Sequence, residues 1–204
     1  RSQSTEMQML RLSLNELPTS IAAGDQEIEV SADFRDWIKV DLVIHDTQIP
    51  EETKLPIVCQ YIGIDLSRAI WNAEDLWMGI FSFYSAEKII KDTAAGTKAS
   101  NEIAYRFDYD WWLIVAAFRQ QYGINLLTAS LHWFEFKALL EGLTDQTQFI
   151  KVVQMRLRDV SKLKGEERRQ AEEAKRYWRV PSEDSADERD PRDIEAELLA
   201  KITN

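Results

Sequence analysis

Glycine, proline and cysteine are all scarce in this chain. Seven Gly and five Pro in 204 residues are too few for the many tight turns of an all-β protein, so a helical fold is favoured. Cys59 is the only cysteine, which excludes an intrachain disulfide and fits a reducing compartment. Its apolar neighbours Ile57, Val58 and Ile62 predict a small buried side chain rather than a reactive thiol.

Motifs that carry catalysis or hold metals and cofactors are also missing. The two histidines, His45 and His132, have no Cys or His partner at ligand spacing, and both are expected as surface residues at helix ends. Adjacent side chains such as His45 and Asp46 do not face each other on a helix. The glycines are isolated, and none precedes the Lys-Ser/Thr pair of a phosphate loop. We therefore predict that the protein is not an enzyme and has no catalytic residue, metal or cofactor.

Asp108 and Asp110 form the one close pair of carboxylates that invites a chemical interpretation. Paired carboxylates bind hard metals or act as an acid–base pair. Both, however, lie where a helix is predicted to begin, and a negative charge there stabilises the helix dipole. The sequence therefore favours a capping role for both.

Positive charge and long apolar runs are in short supply as well. The chain has 35 acidic and 25 basic residues, a net charge of −10, which disfavours nucleic acid and anionic membranes as partners. No run approaches the roughly 20 apolar residues that span a bilayer. The first six residues, RSQSTE, have the character of a cloning remnant. We expect a soluble intracellular protein.

Helical periodicity begins after an irregular opening segment, in which only residues 27–30 alternate as a strand would. Asp33 is the predicted N-cap of the first helix. The second helix should span residues 51–61 and end at Gly63. Pro56 should either kink it or confine it to residues 57 onward. Asn72 should open a third, strongly apolar helix. Residues 91–101 are small and polar and predict a surface loop.

Large apolar side chains are concentrated in residues 107–143. The first predicted helix there runs over residues 108–122, with Gly123 just past its end. Residues 111–118 are apolar on every face, which predicts burial all round. The second should start after Thr128 or Ser130 and end at Gly142. Its predicted inward stripe comprises four residues, Leu131, Phe134, Ala138 and Leu139.

Charge dominates the remainder of the chain. Thr144 is predicted to cap an amphipathic helix whose apolar positions are Phe149, Val153, Leu157 and Val160. Residues 166–179 are mostly charged, with Glu172 and Arg176 as a favourable i,i+4 pair. Residues 182–193 are acidic and polar, which predicts a disordered linker. It leads to a short amphipathic helix over residues 194–204, which either docks on a partner or folds back onto the domain.

The predicted fold is all-α: a single compact bundle of about six to seven helices, with an irregular N-terminal segment and a C-terminal acidic tail. Residues 1–30 form the irregular segment, and residues 31–181 form the helical domain. The linker and the terminal helix follow.

Several motifs resemble the bacteriophage Gp15 family. They are FDYDWWLIVAAFRQQYGINL, then LHWFEFKALLEGL and a long basic helix, with ADFRDWIKVDLVIHD (residues 32–46), FSFYS (residues 81–85) and residues 156–181 in addition. The resemblance covers about 150 residues. The chain departs from it in the acidic tail and at Phe134, where members prefer a second Trp.

The resemblance implies a tail-assembly chaperone of a long-tailed phage or prophage. Such a protein would bind the tape measure protein in the host cytoplasm, keep it soluble until the tail tube polymerises around it, and be absent from the mature virion. The tail tube protein and further copies of the chain are additional candidate partners. The alternative is a structural tail component retained in the virion as a tube-end or stopper protein.

Partner binding by such a protein would need exposed apolar surface. The predicted groove residues are Trp71, Trp77 and Phe81, just before the most apolar pair of helices. Core packing is the competing interpretation of these aromatics. The remaining candidates are Trp178 in the basic helix and Ile194, Leu198 and Leu199 in the terminal amphipathic segment.

Overall fold

The computed structural model describes residues 17–67, 72–86 and 103–180. Trp71, the loop predicted over residues 91–101, the linker and the terminal helix with Ile194, Leu198 and Leu199 lie outside the described residues. Two strands are followed by seven helices in the described part. The prediction of a mostly helical fold is confirmed.

The strands form a small antiparallel hairpin. Strand β1 is Ser20–Ala23 and strand β2 is Gln26–Glu29, with Ile21 opposite Ile28. Gly24 takes a positive φ of 61° in the turn between them, a conformation that glycine adopts without strain. The predicted strand over residues 27–30 is thus present one residue earlier. Its partner β1 was not predicted, because SIAA carries no clear alternation.

The helices of the described residues are α1 (Phe34–His45), α2 (Glu51–Ile62), α3 (Ala73–Ser85), α4 (Phe107–Tyr122), α5 (Trp133–Glu141), α6 (Gln148–Leu157) and α7 (Gly165–Tyr177). α1 packs against α2, α4 and α5, while α6 packs between α4 and α7. The hairpin packs on α3 through β1.

One end of each of the first four helices was predicted correctly. Asp33 and Asn72 cap α1 and α3, each accepting a hydrogen bond from the backbone N–H two residues on. Gly63 and Gly123 end α2 and α4 with φ of 81° and 70°. These positions satisfy otherwise unpaired backbone groups of the helix.

α2 continues through Pro56, so the option of a helix confined to residues 57 onward is wrong. Proline removes one backbone donor and disfavours a helix interior by about 3 kcal/mol. Val58, Cys59 and Ile62 are fully buried after it. Their burial against the rest of the core offsets the local penalty, because each buried apolar side chain stabilises by about 1.5–3 kcal/mol.

α4 is not buried all round, contrary to the sequence prediction. Ile114, Ala117 and Phe118 are buried, but Trp112 is 69% exposed and Tyr109 is 43% exposed. Apolar residues on every side suggested a central helix, yet the neighbours α1, α5 and α6 cover only part of its circumference.

Two boundaries and two stripes also differ from the predictions. His132 caps α5, in place of Thr128 or Ser130, and Thr147 caps α6, in place of Thr144. The buried residues of α5 are Trp133, Phe134, Phe136 and Leu140, whereas Ala138 is exposed. In α6, Phe149, Val152 and Arg156 are buried and Leu157 is exposed. Several neighbouring sets of positions satisfy helical spacing, and the packed elements decide which set is buried.

An aromatic ladder runs through the core. Trp37 stacks on Phe83 with ring centroids 4.4 Å apart and on Trp133 at 6.3 Å. Phe136 stacks on Trp133 at 5.8 Å and on Phe34 at 4.8 Å. The indole N–H groups of Trp37 and Trp133 donate to the carbonyls of Ser31 and Tyr84, respectively. Most of the aromatic side chains therefore pack in the hydrophobic core.

Candidate functional site

α3 has one buried face and one exposed apolar face. Leu76, Gly79, Ile80 and Phe83 are buried, whereas Met78 is 66% exposed and Phe81 is 44% exposed. Trp77 is half-buried and stacks on Phe81 with centroids 5.2 Å apart. The predicted pair Trp77 and Phe81 is therefore brought together at the surface, with Met78 beside it.

The hairpin fixes which face of α3 is exposed. A Cβ at Gly79 would lie 2.3 Å from the carbonyl oxygen of Ala22, so β1 passes directly over this position. Only glycine permits so close an approach of two backbones. With the Gly79 side pressed against β1, the side with Met78 and Phe81 faces outward.

A groove of about 530 Å³ opens along this exposed face. Its lining comes from the end of α1, the start of α2 and the first turns of α3: Ile44, Glu51, Lys54, Ala73, Glu74, Trp77, Met78 and Phe81. The predominantly apolar lining suits an apolar ligand face, since binding sites bury apolar surface and use a few polar groups to set orientation.

Polar groups of the groove come from the first turns of α2 and α3. Lys54 is buried, and its ammonium donates to the carbonyl of Ile44 at 3.0 Å and to Glu51 Oε1 at 2.6 Å. The Lys54 charge is thus balanced and ties the end of α1 to the first turn of α2. The charge of Glu51 is offset by Lys54, so Glu74, in the first turn of α3, is the residue that adds negative charge to the rim.

Asp41, His45 and Tyr84 make a second polar cluster close by. The Tyr84 hydroxyl donates to Asp41 Oδ1, and burial raises the pKa of Tyr84 well above its ordinary value. His45 Nδ1 lies 2.9 Å from the Asp41 carbonyl oxygen, and its hydrogen bond to Asp41 raises the pKa of His45. His45 is the last residue of α1, where a cation stabilises the helix dipole. The prediction of a helix-end surface histidine is confirmed for His45.

His132 also lies at a helix end but is half-buried. Its Nδ1 accepts from the N–H of Phe134 at 3.0 Å, and its Nε2 lies 2.8 Å from the Pro18 carbonyl oxygen. A neutral ring with the proton on Nε2 satisfies both partners. The imidazole therefore caps α5 and attaches residue 18 to it.

Asp110 has a partner that the sequence analysis missed. Its side chain is fully buried and accepts two hydrogen bonds from Arg156, at 2.7 and 2.9 Å. It also accepts from the backbone N–H of Arg106 at 3.0 Å, so the capping prediction is confirmed in part. Asp108 pairs with Arg106 at the surface. The two carboxylates thus have separate cationic partners.

Trp178 is placed away from the groove. It is half-buried at the C-terminal cap of α7, and its carbonyl accepts from Arg156 Nε at 2.5 Å. The groove is lined by α1, α2 and α3, and α7 packs on α6. Trp178 and the groove residues are therefore not one surface.

The described residues include no group of three or more His, Cys, Asp or Glu that could hold a metal ion. Across the same part of the chain, every helix is too short or too polar to cross a membrane. Burial raises the pKa of the Cys59 thiol to about 11, so this side chain stays protonated at neutral pH, as expected of a core residue.

The fold and the site define a largely helical domain with an apolar surface groove. The family described as "Bacteriophage Gp15 protein" matches residues 14–180 of this chain, and the chain therefore belongs to that family. No curated protein and no solved structure matches it.

Proposed function

We propose that this protein is a phage tail-assembly chaperone that binds the tape measure protein through the groove on α3. Membership of a bacteriophage family supplies the setting. The observation that carries the proposal is the exposed set Trp77, Met78 and Phe81 beside an open groove. Large exposed apolar patches on soluble proteins mark interaction sites.

An amphipathic helix is the ligand that this groove fits best. Such a helix presents apolar residues at i, i+3 or i+4, and i+7, which can pack into an apolar groove. The negative charge of Glu74 on the rim favours a helix that carries Lys or Arg beside its apolar stripe. A tape measure is a long helical protein, and its exposed stripes would aggregate without cover.

Weak individual contacts suit a chaperone that must later leave. Burying one of these large side chains contributes about 1.5–3 kcal/mol, reduced by the cost of association. Many copies along one tape measure would hold it by avidity, while tail tube subunits displace each copy separately. The protein would act in the host cytoplasm and be absent from the mature virion.

Co-expression with the tape measure protein of the same phage tests the groove. Met78→Asp and Phe81→Asp place a charge on exposed positions, so the fold is expected to stay intact. Each should reduce the soluble tape measure recovered in a pull-down by about tenfold or more. Trp77→Asp should act likewise, although Trp77 is half-buried and its variant needs a check of helicity by circular dichroism.

Leu127→Asp is the matched control, because Leu127 is also an exposed apolar residue but lies outside the groove lining. Solubilisation that survives both groove variants, or that Leu127→Asp removes equally, would contradict the groove assignment. Mass spectrometry of purified particles addresses the rival structural role: a fixed copy number in the virion would favour a retained tube-end or stopper protein.

A further inference from the structure

We propose that the exposed face of α4 is a contact between two copies of this chain, arranged antiparallel. Tyr109, Trp112 and Ala116 lie at i, i+3 and i+7 of the helix and are all exposed. Residues at this spacing form one stripe. None of them lines the groove on α3, so the proposal stands apart from the proposed function.

The large and small residues of this stripe complement each other in an antiparallel pair. With the twofold axis at position 114, Trp112 of one copy faces Ala116 of the other, and the same contact occurs twice. An alanine opposite a tryptophan lets two helices approach to the usual 8–10 Å between axes. The interface is then isologous, as in most homodimers.

Charge favours the antiparallel arrangement over the parallel one. Asp108 is in the first turn of α4 and Arg119 in its last turn. An antiparallel pair brings Arg119 of one copy to Tyr109 and Asp108 of the other, which allows a cation–π contact and an ion pair. A parallel pair would instead place Asp108 beside Asp108 and Arg119 beside Arg119 of the other copy, and like charges repel. The aligned helix dipoles would repel in that arrangement as well.

The size of the face implies a weak dimer. α4 has 16 residues, about 24 Å of helix, and one helix pair of this length buries less than the roughly 1,200 Å² of stable complexes. The overall charge of −10 also opposes association. Dimerisation is therefore expected only at high micromolar concentration. On a shared partner, where copies are held close together, the same contact would become favourable.

Sedimentation equilibrium of the full chain, from low micromolar to near-millimolar concentration, is the first test. The wild type should shift towards a dimer at the upper end. Trp112→Glu and Ala116→Lys should each weaken dimerisation by about tenfold or more, whereas the exposed control Leu127→Glu should not. An equimolar mixture of the Trp112→Glu and Ala116→Lys variants should recover dimers, because the new charges face each other.

Disulfide cross-linking tests the register. The native Cys59 is buried, so it should contribute little background cross-linking between copies. A mixture of Trp112→Cys and Ala116→Cys should cross-link faster than either variant alone. Faster cross-linking of Ala116→Cys with itself would indicate a parallel pair and overturn the proposal. A wild type that stays monomeric throughout, or equal losses in Leu127→Glu, would overturn it too.

Discussion

The guanidinium of Arg156 holds together four parts of the chain. It makes a bidentate ion pair with Asp110 in α4 and also donates hydrogen bonds to the carbonyls of Ala104 and Trp178. The pair connects residues 46 positions apart and is almost completely removed from solvent. Charges in such a site need each other, because neither can be hydrated.

Removing one partner of this pair should be costly. Asp110→Asn or Arg156→Met leaves a buried charge without its counterpart, and the expected loss is about 3–5 kcal/mol in the free energy of unfolding, measured in urea. Arg169→Gln breaks an exposed pair with Glu166 and should cost far less, because water and salt screen exposed charges. The joint variant Asp110→Leu with Arg156→Met should recover part of the loss. Equal costs for the buried and exposed pairs would refute this account of the core.

The close approach of β1 to α3 at Gly79 can be tested by adding a single methyl group. Glycine to alanine in a helix interior ordinarily stabilises by about 1 kcal/mol. At Gly79 the new methyl would meet the Ala22 carbonyl at 2.3 Å, so Gly79→Ala should instead destabilise by about 1–3 kcal/mol. Ser82→Ala, at an exposed position of the same helix, is the control. Stabilisation by Gly79→Ala in thermal unfolding would show that β1 does not press on α3.

His45, at the end of α1, should make the stability of the folded state depend on pH. Its folded-state pKa is raised by the hydrogen bond to Asp41, so protonated His45 stabilises the folded state. That stability is fully present below the unfolded pKa, and it is lost as the pH rises through the raised folded pKa. The stability difference between wild type and His45→Gln should therefore be largest in mild acid and shrink towards alkaline pH, in unfolding curves across that range. A difference that grows with pH would contradict this sign.

At the level of elements, the starts of α1 and α3 and the ends of α2 and α4 could be predicted from sequence, because these signals depend on residues nearby in the chain. Asp33, Asn72, Gly63 and Gly123 act within a few residues of their own positions. Burial of a helix face depends on elements distant in sequence, and there the predictions failed. α4 is apolar on every side, and nothing local indicates which side its neighbours leave open.

The groove was predicted in part for the same reason. Trp77 and Phe81 are four residues apart, so their shared face follows from helical periodicity alone. Met78 was missed because it lies next to a half-buried tryptophan, and Glu51 and Lys54 because they come from α2. Trp178 was proposed from its aromatic and basic surroundings, but its location was set by Arg156, which no local pattern reveals.

At the scale of the whole molecule, aromatic residues have two roles in separate places. One set forms the ladder from Phe83 through Trp37 and Trp133 to Phe136, which rigidifies the body of the domain. The other set is exposed on α3 and α4. A rigid body with two apolar faces can hold a partner with one face and a further copy with the other.

The central claim is that several copies cover one tape measure. The most direct measurement is the mass of the soluble complex from co-expression, determined by light scattering on a size-exclusion column. We expect several copies of this chain per tape measure, and few or none when Met78→Asp replaces the wild type. A tape measure that stays insoluble while this protein elutes alone would contradict it.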